Sequence, residues 1–179
     1  KKIAYAKENN LFVYDISAKK STAITTDGKK NSIINGITDW VYEEEFAFVS
    51  AFDWSKDSKK IAYIRFDESQ VPEFSMSVFH KDLYPTIETF KYPKAGEKNS
   101  EVSLHIYDLA TAKTKPVNLS NYSDFYIARI KWTNDSNIVS AQILNRHQDN
   151  LDLLFIDGNT ATAKVILNEK DKAYVDITD

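Results

Sequence analysis

Two short sequence elements recur along this chain, and their recurrence limits the possible folds more than any other feature. The first is a Trp followed by a polar turn and an apolar strand, at residues 54–63 and 132–140. The second is a strand of alternating character that ends in Asp, at residues 11–15, 104–108 and 153–157. Alternation places side chains on both faces of a sheet. Short strands separated by turn residues therefore indicate an all-β fold.

The repeats also predict the architecture. A β-propeller blade has four antiparallel strands in about 40 to 50 residues, so the chain has room for about three to four blades. We therefore expect an all-β, partial β-propeller, with residues 1–179 forming part of one propeller domain. Ten Tyr and ten Phe against four Gly and four Pro favour strands over disorder. Residues 1–5 match the end of the first element, so we expect the chain to be a fragment that begins inside a strand.

Charge and residue usage exclude several kinds of partner and site. The net charge is −3 with both signs interspersed, so the chain lacks the basic patch typical of nucleic-acid binding. It has no cysteine for disulfides or thiolate metal sites. No His pair has zinc spacing, no acidic pattern matches a calcium loop, and no apolar run approaches the roughly 20 residues of a membrane span. We predict no metal, no cofactor, no nucleic-acid partner and no membrane span.

Residues 38–46 interrupt the repeats with three consecutive carboxylates between bulky apolar residues. Asp39 can cap a short helix there, and its apolar neighbours can anchor that helix against the propeller. Successive helical residues point about 100° apart, so at most two of the Glu side chains at 43–45 can share one ligand. From the residues alone, two interpretations stay open: a solvated charge run, or a site for a cation such as an ammonium group.

A second interruption covers residues 72–93 and is long for a connection between two strands of a blade. Long excursions in compact domains are usually functional, and exposed apolar side chains suggest a partner surface. The alternative is an extra hairpin that folds back on its own blade. The apolar side chains at risk of exposure are Phe74, Met76, Phe79, Tyr84, Phe90 and Tyr92.

Both interruptions carry a family resemblance. Residues 35–46 read Asn-Gly-Ile-Thr-Asp-Trp-Val-Tyr-Glu-Glu-Glu-Phe, and residues 92–96 read Tyr-Pro-Lys-Ala-Gly. Further segments in the same order lie between them, at residues 54–55, 62–68 and 71–73. Together they resemble the propeller domain of the dipeptidyl peptidase IV family of serine exopeptidases, in its bacterial form. Beyond Gly96 the resemblance continues only as a generic blade pattern.

The resemblance implies the propeller part of an enzyme that releases Xaa-Pro or Xaa-Ala dipeptides from peptide N-termini. It assigns binding of the substrate α-ammonium group to Glu44 and Glu45. Two carboxylates that converge on one ammonium would form charge-assisted hydrogen bonds. Supporting roles fall to the neighbouring residues Asp39, Trp40, Tyr42 and Glu43.

We expect no catalytic residue in this chain. It contains no Gly-x-Ser-x-Gly elbow, and His80, His105 and His147 stand without a recognisable nucleophile motif. The resemblance places the Ser, Asp and His of the enzyme in a C-terminal α/β-hydrolase domain that this sequence does not include. The fragment alone should therefore be inactive.

The resemblance further implies partners and a location. The partners are peptide substrates with a free N-terminus and a second copy of the protein, bound through an arm at residues 72–93. The location is the periplasm, the cell surface or the extracellular space. Two other functions stay open: a non-catalytic propeller that binds other proteins, and a related prolyl tripeptidyl peptidase.

Overall fold

A computed structural model describes residues 1–177 of the chain. These residues contain one short helix, and no helix among them has the length and apolar character that crossing a membrane requires. The elements in chain order are β1 (Lys2–Lys7), β2 (Asn10–Asp15), β3 (Lys20–Ala23), β4 (Ile33–Asn35), α1 (Trp40–Glu45), β5 (Phe52–Trp54), β6 (Lys60–Asp67), β7 (Glu73–Val78), β8 (Thr86–Lys91), β9 (Glu101–Asp108), β10 (Lys113–Pro116), β11 (Phe125–Trp132), β12 (Ile138–Asn145), β13 (Asn150–Asp157) and β14 (Ala163–Lys170).

The strands form three antiparallel, blade-like sheets. The first has the order β1-β2-β3, the second β10-β9-β6 with β4 and β5 both paired to β6, and the third β11-β12-β13-β14. Strands β7 and β8 form a separate two-stranded sheet, which is inserted in the chain between β6 and β9 of the second sheet. The predicted all-β, partial β-propeller with a short acidic helix and a projecting arm is confirmed. The blades number three among the described residues.

The repeated Asp of the second sequence element has a structural role in each sheet. Asp15, Asp108 and Asp157 end β2, β9 and β13, and each accepts hydrogen bonds of 2.8–3.0 Å from backbone N–H groups two or three residues later. These donors lower the pKa of all three carboxyl groups. Each Asp thus fixes the turn that leads into the outermost strand of its sheet.

Strand β6 is buried on both faces and separates two apolar cores. Ile61 and Tyr63 pack in a smaller core with side chains of the first sheet, whereas Ile64 and Phe66 pack in a larger core with the third sheet. Alternation along β6 thus sends successive side chains into different cores. This is how stacked blades share a central sheet.

The innermost position of the second sheet is divided between two three-residue strands. Strand β4 pairs with the end of β6 and strand β5 with its beginning, while residues 36–51 leave the sheet between them. The insertion is closed at its base, because the Ala51 N–H donates to the Gly36 carbonyl at 3.0 Å. Gly36 has φ +75°, and a Cβ there would lie 2.9 Å from Leu11 Cδ1, so a larger residue would be strained. This closed insertion carries helix α1.

Candidate functional site

Helix α1 begins at Trp40 because Asp39 caps it. The Asp39 Oδ1 atom accepts a hydrogen bond from the backbone N–H of Tyr42 at 3.1 Å, as N-cap residues do. Its Oδ2 atom accepts a second bond from the Ser100 hydroxyl at 2.5 Å. Asp39 is only 7% exposed, and burial raises its pKa although these donors oppose the rise. The cap therefore ties the start of the helix to the segment that precedes β9.

Tyr42 fixes the middle of the helix to the third sheet. Its side chain is buried, and its hydroxyl accepts a hydrogen bond from the backbone N–H of Ile127 at 2.9 Å. This N–H lies in β11 next to an irregularity in the pairing of β11 with β12. The Tyr42 ring lies 4.8 Å from Phe66 and 5.1 Å from Phe46. Burial raises the pKa of Tyr42 well above its usual range, so the hydroxyl stays protonated.

The end of the helix is held by a cation from the same sheet. Phe46 is the C-cap, and its carbonyl oxygen accepts a hydrogen bond from Arg129 Nη1 at 2.9 Å. The Arg129 guanidinium also lies 5.6 Å from the centre of the Phe48 ring, within cation–π range. A positive charge at a helix C-terminus is electrostatically favourable. Both ends of α1 are therefore fixed by residues remote in the sequence.

Helix α1, held by these contacts, carries three consecutive acidic side chains. Glu43, Glu44 and Glu45 are all exposed, and within residues 1–177 none of their carboxylates forms a hydrogen bond or an ion pair. The end of the helix that carries Glu45 lies next to Tyr126, since the neighbouring Phe46 ring packs on the Tyr126 ring at 5.1 Å. Burial raises the pKa of the Tyr126 hydroxyl, with smaller contributions from Asp124 and Glu45, whereas Arg146 and Asn99 oppose the rise. The structure thus groups the predicted pair with its supporting residues on one short helix.

Two cavities flank the insertion, and neither is lined by Glu43, Glu44 or Glu45. The larger, of about 800 Å³, is lined by Asn99, Ser100 and Arg146 among others. Asn99 donates to the Tyr126 hydroxyl at 2.7 Å, so this cavity lies on the Glu45 side of the helix. The second, of about 630 Å³, is lined by Phe48 and Arg129 at the C-terminal end of the helix. The carboxylates themselves face open solvent.

The three histidines lie on different elements: His80 follows β7, His105 is in β9 and His147 lies between β12 and β13. His105 stacks on Tyr63 at 5.2 Å and contacts the Ser103 hydroxyl at 2.9 Å. Burial lowers its pKa to about 4, so the imidazole is neutral and a weak base at pH 7. His80 is exposed 3.7 Å from Glu88, and His147 lies exposed at the larger cavity. Among residues 1–177, no group of three His, Asp or Glu side chains is arranged to hold a metal ion.

Sequence reasoning missed the residues that hold the helix from outside. Ser100, Ile127 and Arg129 lie 61, 85 and 83 residues from the atoms that they contact. No short motif surrounds any of them. The only available signal was that Ile127 and Arg129 fall in an alternating segment before Trp132, which indicates a strand and nothing about its neighbours.

Comparison with known proteins agrees with the fold and the family resemblance. The family model described as the dipeptidyl peptidase IV (DPP IV) N-terminal region matches residues 1–179. The probable dipeptidyl-aminopeptidase B of Phaeosphaeria nodorum is 35% identical over 182 residues, covering 93% of this chain and 20% of that protein. Dipeptidyl aminopeptidase B of Saccharomyces cerevisiae is 32% identical over 174 residues, covering 93% of this chain and 21% of that protein.

Two solved structures have the same fold. The crystal structure of Porphyromonas gingivalis dipeptidyl peptidase 4 has a TM-score of 0.93 and 42% identity, covering 98% of this chain and 25% of that one. A putative dipeptidyl aminopeptidase IV from Bacteroides ovatus has a TM-score of 0.81 and 27% identity, covering 97% of this chain and 23% of that one.

The chain spans about a fifth of the length of these curated relatives and about a quarter of the solved chains. The match over the whole chain confirms the resemblance that residues 35–46 and 92–96 indicate. The chain belongs to the dipeptidyl peptidase IV family, as part of its N-terminal region.

Proposed function

We propose that this chain is the substrate-recognition part of a dipeptidyl peptidase IV-like serine exopeptidase, and that Glu44 and Glu45 bind the substrate α-ammonium group. One observation supports this role above all. Exposed carboxylates without a partner among residues 1–177 stand on a helix whose cap, buried side and C-terminus are all fixed. A solvated charge run would not need such support.

The chemistry of an exopeptidase explains why rigidity matters. Such an enzyme must hold the free chain end at a set distance from the bond that it cuts. Two carboxylates form short, charge-assisted hydrogen bonds to an ammonium group. Because α1 is fixed by Asp39, Tyr42 and Arg129, the ammonium position is fixed too. The peptide would then be cleaved after its second residue, typically Pro or Ala.

Bond cleavage belongs to another part of the protein in this proposal. The chain has no Gly-x-Ser-x-Gly elbow, and His105 is a neutral, half-buried strand residue. A Ser-His-Asp triad would lie in an α/β-hydrolase domain outside these residues. The isolated chain is then expected to bind the amino end of a peptide without hydrolysing it.

The proposal is tested in the full-length protein with Glu44→Gln and Glu45→Gln. Each variant is expected to lower kcat/KM for a chromogenic Gly-Pro substrate at least tenfold, because one charge-assisted bond to the ammonium is lost. Glu169→Gln is the matched control, since it makes the same change at an exposed acid of β14 that has no role in the proposed site, and it is expected to stay within twofold. Unchanged kinetics in both test variants would contradict the assignment. A longer peptide with a free N-terminus serves as a second substrate, and the length of the fragment released from it separates dipeptide from tripeptide removal.

We also propose that the protein is a homodimer through the arm at residues 72–93. The arm is a separate β7–β8 hairpin, and such a two-stranded sheet is marginally stable alone in water. Apolar side chains at and near its tip are largely solvent exposed, with Phe79 at 64%, Leu83 at 92%, Tyr84 at 84% and Ile87 at 65%. A second arm would cover them.

The same family assignment leads us to propose a periplasmic, secreted or cell-surface location. The absence of cysteine fits these compartments as well as the cytoplasm. Fractionation of cells with an antibody against the full-length protein tests this location. Recovery of the protein in the cytoplasmic fraction would contradict it.

A further inference from the structure

Four aromatic rings join the root of the arm to the acidic helix, and we call them the root cluster: Trp40, Phe74, Phe90 and Tyr92. The Tyr92 ring meets the Trp40 ring at a centroid distance of 4.3 Å and an interplanar angle of 60°. Phe74 and Phe90 lie opposite each other across β7 and β8, and they pack against Tyr92 at 5.6 and 6.4 Å. The first residue of helix α1 is therefore in contact with the arm.

The position of Trp40 on the helix gives this contact a functional consequence. Residues four apart on a helix lie on the same side, one turn from each other. Trp40 and Glu44 have this spacing. A displacement of the Trp40 ring would thus move the side of the helix that carries Glu44. Because α1 has only six residues, its orientation depends on tertiary contacts rather than on its own stability.

Tyr92 is itself held by the arm and not by the helix. Its backbone N–H donates to the Pro72 carbonyl at 3.0 Å, which closes the base of the arm. The neighbouring Lys91 donates to the Val71 carbonyl at 2.8 Å and lies 3.5 Å from the Glu73 carboxylate, with its side chain only 10% exposed. The position of the Tyr92 ring is therefore set by the root of the arm.

We infer that Tyr92 is a positioning residue for the amine site: its ring holds Trp40 and so fixes the orientation of the helix that presents Glu44 and Glu45. The inference rests on the proposed function of the Glu pair. It extends that function by making the root of the arm part of the amine site. Tyr92 does not touch the peptide in this arrangement and acts through Trp40.

The test uses the full-length protein with Tyr92→Ala, Tyr92→Phe and a Gly-Pro substrate. Tyr92→Ala is expected to raise KM at least fivefold and leave kcat within twofold, because binding of the amine is lost before the chemical step. Tyr92→Phe keeps the ring that contacts Trp40 and is expected to restore KM to within twofold of the wild type. Should Tyr92→Ala fail to fold, Tyr92→Leu keeps apolar volume without the ring and is expected to raise KM as well.

The control is Ser75→Ala, which removes a 2.8 Å hydrogen bond to Thr89 between β7 and β8, next to the root cluster in the register. It perturbs the arm without removing a ring, so KM is expected to stay within twofold. An increase in KM equal to that of Tyr92→Ala would attribute the effect to the arm in general and would overturn the inference.

A double-mutant cycle separates this inference from the proposed function. If Tyr92 acts through the Glu pair, adding Tyr92→Ala to Glu44→Gln/Glu45→Gln should raise KM by less than a further twofold. Independent, multiplying effects would overturn the role of Tyr92 and leave the Glu pair intact. Silent Glu variants would instead remove the proposed function, and the positioning role with it. Unchanged KM in Tyr92→Ala, with active Glu variants, would remove the positioning role alone.

Discussion

Glu68 shows how a single buried acid can set the response of this protein to pH. It follows strand β6 and is 7% exposed. Burial raises the pKa of Glu68 to about 7, and the negative charge of Asp39 adds to the rise. The ammonium group of Lys91 and the backbone N–H of Asn31 oppose it. Glu68 therefore interacts with both a second buried acid, Asp39, and the Lys91 cation at the root of the arm.

The raised pKa predicts that Glu68 weakens the fold as pH rises. The folded state binds this proton more tightly than the unfolded state, so the contribution of Glu68 to stability is complete below pH 4.5 and is lost as pH rises through about 7. The difference is up to about 3 kcal/mol. Glu68→Gln should therefore raise the free energy of unfolding by about 3 kcal/mol at pH 8 and by less than about 1 kcal/mol at pH 5. Equilibrium urea unfolding of the full-length protein at both pH values measures this.

Glu101→Gln is the matched control for Glu68→Gln. It makes the same change at an exposed acid of the neighbouring strand β9, and it should alter stability by less than about 0.5 kcal/mol at either pH. An equal gain at pH 5 and pH 8 in Glu68→Gln would contradict the pH-dependent role of this acid.

Single residues of the site differ in how far the sequence predicts them. Asp39 is identifiable as a cap because its partner, Tyr42, lies three positions along the chain. The hydrogen bonds from Ser100 to Asp39 and from Ile127 to Tyr42 depend on strands that only the folded sheet order brings close. Local patterns carry no information about such pairs. The burial of Glu68 is likewise not predictable from the sequence, because its neighbours Asn31, Asp39 and Lys91 are remote in the chain.

At the scale of elements, long strands were predictable and very short strands were not. Strands β6, β9 and β13 have eight residues each, and an apolar or alternating run next to turn residues marks each of them in the sequence. Strands β4 and β5 have three residues each, too few for any period, so the division of the innermost strand was not predictable. That division is what places helix α1 at the inner edge of the second sheet.

The contact between helix α1 and strand β11 gives a prediction at this scale. Tyr42→Phe removes the acceptor for the Ile127 N–H, which is then buried without a partner. An unsatisfied buried donor costs about 1–3 kcal/mol. The free energy of unfolding of the full-length protein should fall by that amount in urea.

Tyr5→Phe provides the comparison for Tyr42→Phe. It deletes the same atom from a Tyr whose hydroxyl meets an exposed Ser21 at 2.6 Å. Water can replace this exposed bond, so the expected loss is less than about 0.5 kcal/mol. Equal losses in the two variants would mean that the Tyr42 bond does not anchor the helix to β11.

At the scale of the whole molecule, the arm stands apart because its two strands belong to none of the three blade-like sheets. Its two strands pair only with each other among the described residues, and its exposed apolar side chains increase towards the tip. A two-fold interface would use each of these side chains twice, once from each copy. The arm is therefore where a small change in sequence should have the largest effect on assembly.

The proposed dimer is tested by Leu83→Ser/Tyr84→Ser in the full-length protein. These side chains are 92% and 84% exposed, and burying such a side chain is worth about 1.5–3 kcal/mol. With two copies of each, the dimer should dissociate at least a hundredfold more readily, because the expected loss far exceeds the 1.4 kcal/mol of a tenfold change. Light scattering across a dilution series measures the mass. The adjacent double change Lys81→Ser/Asp82→Ser alters the same turn without apolar loss and should leave the dimer intact. A dimer that persists equally in both variants would show that the two copies meet elsewhere.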